Sequence, residues 1–164
     1  MGLLKGLAGI LGGGSPRAAP NVIQTSSFRV ELPLGWTVNL KTDPVSATGP
    51  DGQTLEVSSF AVSGSGSSSE LEVVLASLAE RLKSTMLRAA SNEMFAPGTR
   101  TLERNLPGGV KFIEGHAKAL DSSMVFAQVG LVHARTAAYI NGRFRPDGDE
   151  LRRVLVQLEA AEWS

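Results

Sequence analysis

From Val110 to Arg143 the chain runs through three stretches of strand-forming residues with room only for turns between them, and this constrains the fold more than any other feature. Val110 to Leu120 and Met124 to Val132 meet at Asp121-Ser122, a hairpin turn, and Ala134 to Arg143 follows directly. A parallel return between neighbouring strands needs a crossover of about a dozen residues, so strands joined this tightly pair antiparallel. These three strands therefore form an antiparallel meander.

The rest of the chain supplies partners for that sheet. Phe28, Val30 and Leu32 alternate with Arg29 and Glu31, the pattern of a half-buried strand. Pro33 and Gly35 end it, Trp36 opens another strand to about Lys41, and Leu55 to Val62 reads as a third. Thr99 to Asn105 is a further strand, set off by Pro97-Gly98 and by Pro107-Gly108-Gly109. Between these, Leu71, Val74, Leu75, Leu78, Leu82 and Met86 make one apolar helical stripe, with Ser69 and Glu72 spaced as a capping box. Acids at its start (Glu70, Glu72) and bases toward its end (Arg81, Lys83, Arg88) complement the helix dipole. A second stripe, Leu151, Val154, Leu155 and Leu158, follows Pro146-Asp147-Gly148, with Asp147 or Asp149 as cap. Each stripe must be buried against the sheet. The predicted fold is α+β, an antiparallel β-sheet of about six to seven strands with two packed α-helices.

One domain suits a chain of 164 residues. A domain of that size buries roughly 70% of its unfolded surface and needs no covalent staple. Residues 1–20 read as a segment apart, MGLLKGLAGILGGGSPRAAP, and residues 21–164 as the domain. Within the segment, Leu3, Leu4, Leu7, Ile10 and Leu11 recur at helical spacing, while Gly12 to Pro16 form a linker. Two readings stand open. One is a tail, or a helix docked on its own domain. The other is a short amphipathic helix over residues 1–12 that makes weak contact with a membrane or fills a partner's groove. As a secretory signal the segment is poor, because Lys5 lies inside the apolar run and Gly2, Gly6 and Gly9 interrupt it. No apolar run reaches the ~18 residues of a membrane span. The expected location is cytoplasmic, with a periplasmic or peripheral-membrane protein as the alternative.

Charge and cysteine content exclude several functions. Lys plus Arg and Asp plus Glu each number 16, for a net charge of zero, against the basic excess of nucleic-acid binders. With no cysteine there is no disulfide, thiolate metal site or Cys nucleophile. Neither of the 2 histidines, His116 and His133, belongs to a metal motif, and the predicted hairpin places His116 near Gln128 and His133 near Val110, well apart. No serine sits in a nucleophile elbow. The Gly/Ser stretch around Ser65 precedes a helix N-terminus but lacks a P-loop lysine. Glu56, Glu103, Glu114 and Asp121 lie on or near strands with no spacing that pairs two of them for glycosidase chemistry. Arg143-Phe144-Arg145 interleaves an aromatic with bases, as RNA sites do, yet at a strand end it reads as a solvated edge. Trp36 and Trp163 read as packing at the margin of the core, with partner hot spots as the alternative. No catalytic, cofactor-binding or metal-ligating residue is predicted, no cofactor is expected, and no partner-binding residue is assigned.

The opening Phe28-Arg29-Val30-Glu31-Leu32-Pro33-Leu34-Gly35-Trp36 resembles the F-x-V-x-L-P-x-G-W start of PsbP-like domains. Gly52 to Phe60 is similar to the family's next strand, and the long helix and the closing helix from Leu151 to Trp163 fall in the same order. The resemblance covers about residues 26–163 and implies an antiparallel sheet with helices packed on it. The superfamily includes the photosystem oxygen-evolving subunit P, a Ran-binding yeast protein and bacterial DcrB-like proteins, mostly without enzymatic activity. One bacterial branch comprises effector-associated chaperones of type VI secretion, marked by a D-x-S-x-N run after the Trp; here Trp36-Thr37-Val38-Asn39-Leu40 keeps only the Asn. The resemblance implies a non-enzymatic protein-binding module: an adaptor, chaperone or immunity protein whose partner is an effector, toxin or secretion component. The alternatives are an envelope-associated protein held through its N-terminal segment and an enzyme or small-ligand carrier. Neither partner identity nor oligomeric state follows from the sequence.

Overall fold

The computed structural model describes residues 21–61, 67–91 and 100–164. The N-terminal segment, Ser65 and the Pro97-Gly98 break lie outside the described residues. In chain order the elements are β1 (Val22–Gln24), β2 (Phe28–Glu31), β3 (Thr37–Asn39), β4 (Val45–Thr48), β5 (Thr54–Ala61), α1 (Ser68–Ser91), β6 (Arg100–Leu106), β7 (Val110–Lys118), β8 (Val125–His133), β9 (Thr136–Phe144), α2 (Glu150–Glu159) and β10 (Glu162–Trp163). A single 3-10 turn, Pro107–Gly109, links β6 to β7.

Seven strands form one sheet in the order β3-β4-β5-β9-β8-β7-β6, and β1, β2 and β10 form a small second sheet. Every pairing is antiparallel. The expected α+β fold with two helices on an antiparallel sheet is therefore present. The predicted meander is its centre, turning at Asp121-Ser122, where Ala119 N–H bonds Met124 O and Ser122 N–H bonds Ala119 O, each at 2.9 Å. The short strands β1, β4 and β10 are not among the predicted ones. At two to four residues they are too brief to show an alternation in sequence.

The hairpin has the predicted turn: centred on Asp121-Ser122, it pairs His116 with Ala127, next to Gln128, and Gly115 with Gln128 itself. Successive residues of a strand point to opposite faces of the sheet. Gln128 therefore lies on the face opposite His116.

The two faces of the large sheet are packed differently. On one, Leu55, Val57, Phe112, Val129, Leu131 and Ile140 meet Phe28, Val30 and Leu32 of the small-sheet region and Val154 and Leu158 of α2. This is the main core; each such large side chain contributes about 1.5–3 kcal/mol on burial. Leu151 and Leu155 pack at its margin, so the predicted α2 stripe is the buried one. Trp36 is buried there with its ring 6.3 Å from that of Phe144, and Trp163, half-buried, lies 5.5 Å from the ring of Phe28 and 5.3 Å from His133.

The other face carries α1. Leu71, Val74, Leu75, Leu78 and Ala79 pack on Ile113, Val132, Ala137 and Tyr139. Gly130 permits the close approach: a Cβ there lies 3.3 Å from Leu78 Cδ1. The side chains of Leu82 and Met86, the last of the predicted stripe, lie outside the described ones. The cap differs from the predicted one. Ser67, not Ser69, receives Glu70 N–H at its Oγ (3.4 Å), and Glu70, not Glu72, receives Ser67 N–H (3.2 Å). Three consecutive serines precede Glu70, so the spacing alone admits both boxes.

Candidate functional site

On the α1 side of the sheet the character of the strands changes along their length. Under the helix the residues pointing up are apolar: Ile113, Val132 and Ala137. Beyond it, on the same face of β4, β5, β8 and β9, they become Ser46, Thr48, Glu56, Gln128, Asn141 and Arg143. Among the described residues α1 crosses only part of the face, and the polar part beside it forms a cleft of about 570 Å³. Its floor is the sheet and Arg81 of α1 lines one side.

At the centre of the floor, Gln128 and Asn141 face each other across β8 and β9. Gln128 Nε2 donates to Asn141 Oδ1 over 2.9 Å. Gln128 is 1% exposed, and its Oε1 has no hydrogen-bond partner among the described residues. A buried amide acceptor left unmatched costs about 1–3 kcal/mol. At one end of the cleft the Arg81 guanidinium stacks over the Tyr139 ring, 5.1 Å from its centre. At the other end Arg143 stands opposite Thr54 on the neighbouring strand. Glu56 lies across from Asn141.

A second polar group occupies the other face, at the β6–β7 edge. Glu114, buried, accepts from Arg104 Nη2 at 3.1 Å, and His116 Nε2 lies 3.4 Å from its other oxygen. The same guanidinium bonds Glu159 of α2 and stacks 4.3 Å over the ring of Phe112. The contact with His116 is the largest influence holding the Glu114 carboxyl below its ordinary value; burial opposes it, and the charges of Arg104 and His116 lower it further. This arrangement pins α2 to the sheet edge. Neither His116 nor Glu114 lines the cleft.

The other sequence candidates are dispersed. Glu103 is exposed and lies on the opposite face of β6 from Arg104. Asp121 sits in the β7–β8 turn, where hydrogen bonds from Ser123, its side chain first and then its backbone N–H, hold the carboxyl low. Phe144 turns into the core beside Trp36 while Arg143 faces the cleft, so the Arg-Phe-Arg run does not present its aromatic with its bases. Among the described residues no group of three His, Asp or Glu side chains is placed to hold a metal ion. Gln128, Asn141, Tyr139 and Arg81 are absent from the sequence candidates. The signal that marks them is a glutamine in the middle of an otherwise apolar strand, VFAQVGLVH, with an asparagine across from it.

No family model matches the chain, and no curated protein does. Among solved structures, the chain is similar to the solution structure of cyanobacterial PsbP (CyanoP) from Synechocystis sp. PCC 6803, with a TM-score of 0.60 and 10% sequence identity. The match covers 95% of this chain and 100% of that one. At that identity the likeness speaks for the fold alone, and the fold is PsbP-like. Among the described residues no helix is long and apolar enough to cross a membrane.

Proposed function

We propose that the chain is a non-enzymatic protein-binding module that receives its partner in the cleft beside α1. One observation carries the reading: the described residues leave part of a sheet face open, concave and polar, around a buried glutamine amide whose acceptor none of them matches. Buried polar groups in stable folds are satisfied, and exceptions concentrate where something else completes them. Among the described residues the cleft is lined by no histidine and by one carboxylate, Glu56. That composition suits recognition better than acid–base chemistry. The PsbP-like fold and the F-x-V-x-L-P-x-G-W opening support the narrower reading: an adaptor, chaperone or immunity protein of a bacterial secretion or toxin system, bound to an effector, toxin or secretion component.

The test is affinity capture of the full chain from its native cells, run beside a Thr48→Trp variant that fills the cleft from its exposed β4 rim. The expected result is one stoichiometric protein partner that is lost with Thr48→Trp. A clean preparation from both proteins overturns the binding-module reading, and a partner retained by the variant overturns the assignment to the cleft.

A further inference from the structure

We infer that the cleft takes an extended acidic segment of the partner protein, laid along β9 with one carboxylate at Arg81 and another at Arg143. The inference rests on the cleft being the partner site and adds the chemistry of what enters it. Tyr139, Asn141 and Arg143 alternate along one face of β9, and Arg81 stacks over the first of them. The two guanidiniums are therefore separated by roughly the span from Tyr139 to Arg143. At ~3.3 Å per residue this is about 13 Å. An extended peptide covers the same distance with acidic side chains about four residues apart, both pointing to one side.

Charge supports the same occupant. Among the described residues two arginines and one glutamate line the cleft, an excess of one positive charge. Neither arginine makes an ion pair with a carboxylate of the described residues. Arginine is the side chain best suited to recognising a carboxylate, through its paired N–H donors. Glu56, opposite Asn141 at the middle of the floor, repels an acid there. The preferred segment thus carries acids at its ends and a neutral or basic residue between them. The Gln128–Asn141 amide pair lies under that middle position, and half-buried Asn141 is the member of the pair that faces the occupant.

The test uses the full chain and short, end-capped fluorescent peptides, read by anisotropy. One peptide has glutamates about four residues apart, to match the arginine spacing; a second has glutamines in their place, and a third lysines. The glutamate peptide is expected to bind about tenfold more tightly than the glutamine peptide, the order given by two partly screened ion pairs. The difference shrinks with added salt, and the lysine peptide binds weakest. In the Arg81→Gln, Arg143→Gln double variant the preference for glutamate disappears while the affinity for the glutamine peptide stays. The comparison among peptides needs no variant protein, so a folding failure of the variant leaves it intact. Equal binding of glutamate and glutamine peptides overturns the acidic preference but leaves the cleft as a protein site. Preference for the glutamate peptide that persists in the double variant overturns the placement at Arg81 and Arg143. If no peptide binds while Thr48→Trp still abolishes partner capture, the extended segment is overturned and the cleft survives as the partner site.

Discussion

Trp36 Nε1 donates a 2.6 Å hydrogen bond to Glu150 Oε1, joining the residue just before β3 to the first turn of α2. The two lie far apart in sequence, and the bond holds α2 over the core on which it packs. The indole is buried, so its N–H has no recourse to water once Glu150 is gone. Glu150→Ala is expected to destabilise the fold by about 1–3 kcal/mol, the cost of a buried donor left unmatched. Glu150→Gln keeps an acceptor and costs less. Urea unfolding followed by tryptophan fluorescence separates the two. Identical midpoints for wild type and Glu150→Ala mean that the bond contributes nothing.

The Glu114 carboxyl gives the fold an acid limb. Its folded pKa lies below its ordinary value of 4.5, chiefly through His116, against burial and with help from the charge of Arg104. A depressed folded value means that the native state resists protonation more than the unfolded chain does. The contribution is therefore fully present above the unfolded value, and it is lost as pH falls through the folded one. Removing the charge also strands part of Arg104, which keeps only Glu159. Glu114→Gln is expected to lower stability at neutral pH and to flatten the loss below about pH 5. Thermal unfolding of both proteins across that range is the measurement. Parallel curves for the two show that Glu114 is not the source of the acid limb.

The meander, the α2 stripe and the helix-on-sheet arrangement were legible because each rests on a period that repeats over many residues. The small sheet was not. Val22–Gln24 and Glu162–Trp163 are extended because β2 lies between them, and a tertiary partner leaves no trace in so few residues. The cleft was hidden for a different reason. Its existence depends on where α1 stops covering the face, and its floor depends on Gln128 meeting Asn141 across β8 and β9, a pairing set by the β8–β9 connection that no repeat within either strand announces. Glu114 and His116 were already in phase along β7. What the sequence did not show is Arg104, brought to them by the β6 pairing.

Gly142 is a second place where the interior admits no more volume. It lies on the core face of β9, where a Cβ would stand 2.5 Å from Phe144 Cε2 and 2.8 Å from Leu55 Cδ2. Neither side chain can retreat freely, since both are buried in the main core. Gly142→Ala is expected to destabilise by about 1–3 kcal/mol through overpacking. Because Gly142 neighbours Asn141 and Arg143, the same change is also expected to weaken binding at the cleft. Paired measurements of stability and peptide affinity decide this, and an unchanged unfolding midpoint contradicts the tight packing.

The helix cap separates two boxes that the sequence cannot distinguish. At the start of α1 the backbone N–H of each of Ser67 and Glu70 donates to the other's side chain, while Ser69 meets the Ser67 hydroxyl at 3.0 Å. A serine cap replaced by alanine costs about 1 kcal/mol, and here it leaves Glu70 N–H to the Ser67 carbonyl, 3.1 Å away. Ser67→Ala is therefore expected to cost about that much, and Ser69→Ala at most a few tenths of a kcal/mol, since it removes no acceptor from the backbone. Hydrogen exchange at the amide of Glu70 reports on the same event locally. Faster exchange in Ser67→Ala than in Ser69→Ala places the cap at Ser67. The reverse order moves the helix start to Ser69 and Glu72, and shifts the register in which Leu71, Val74, Leu75 and Leu78 meet the sheet.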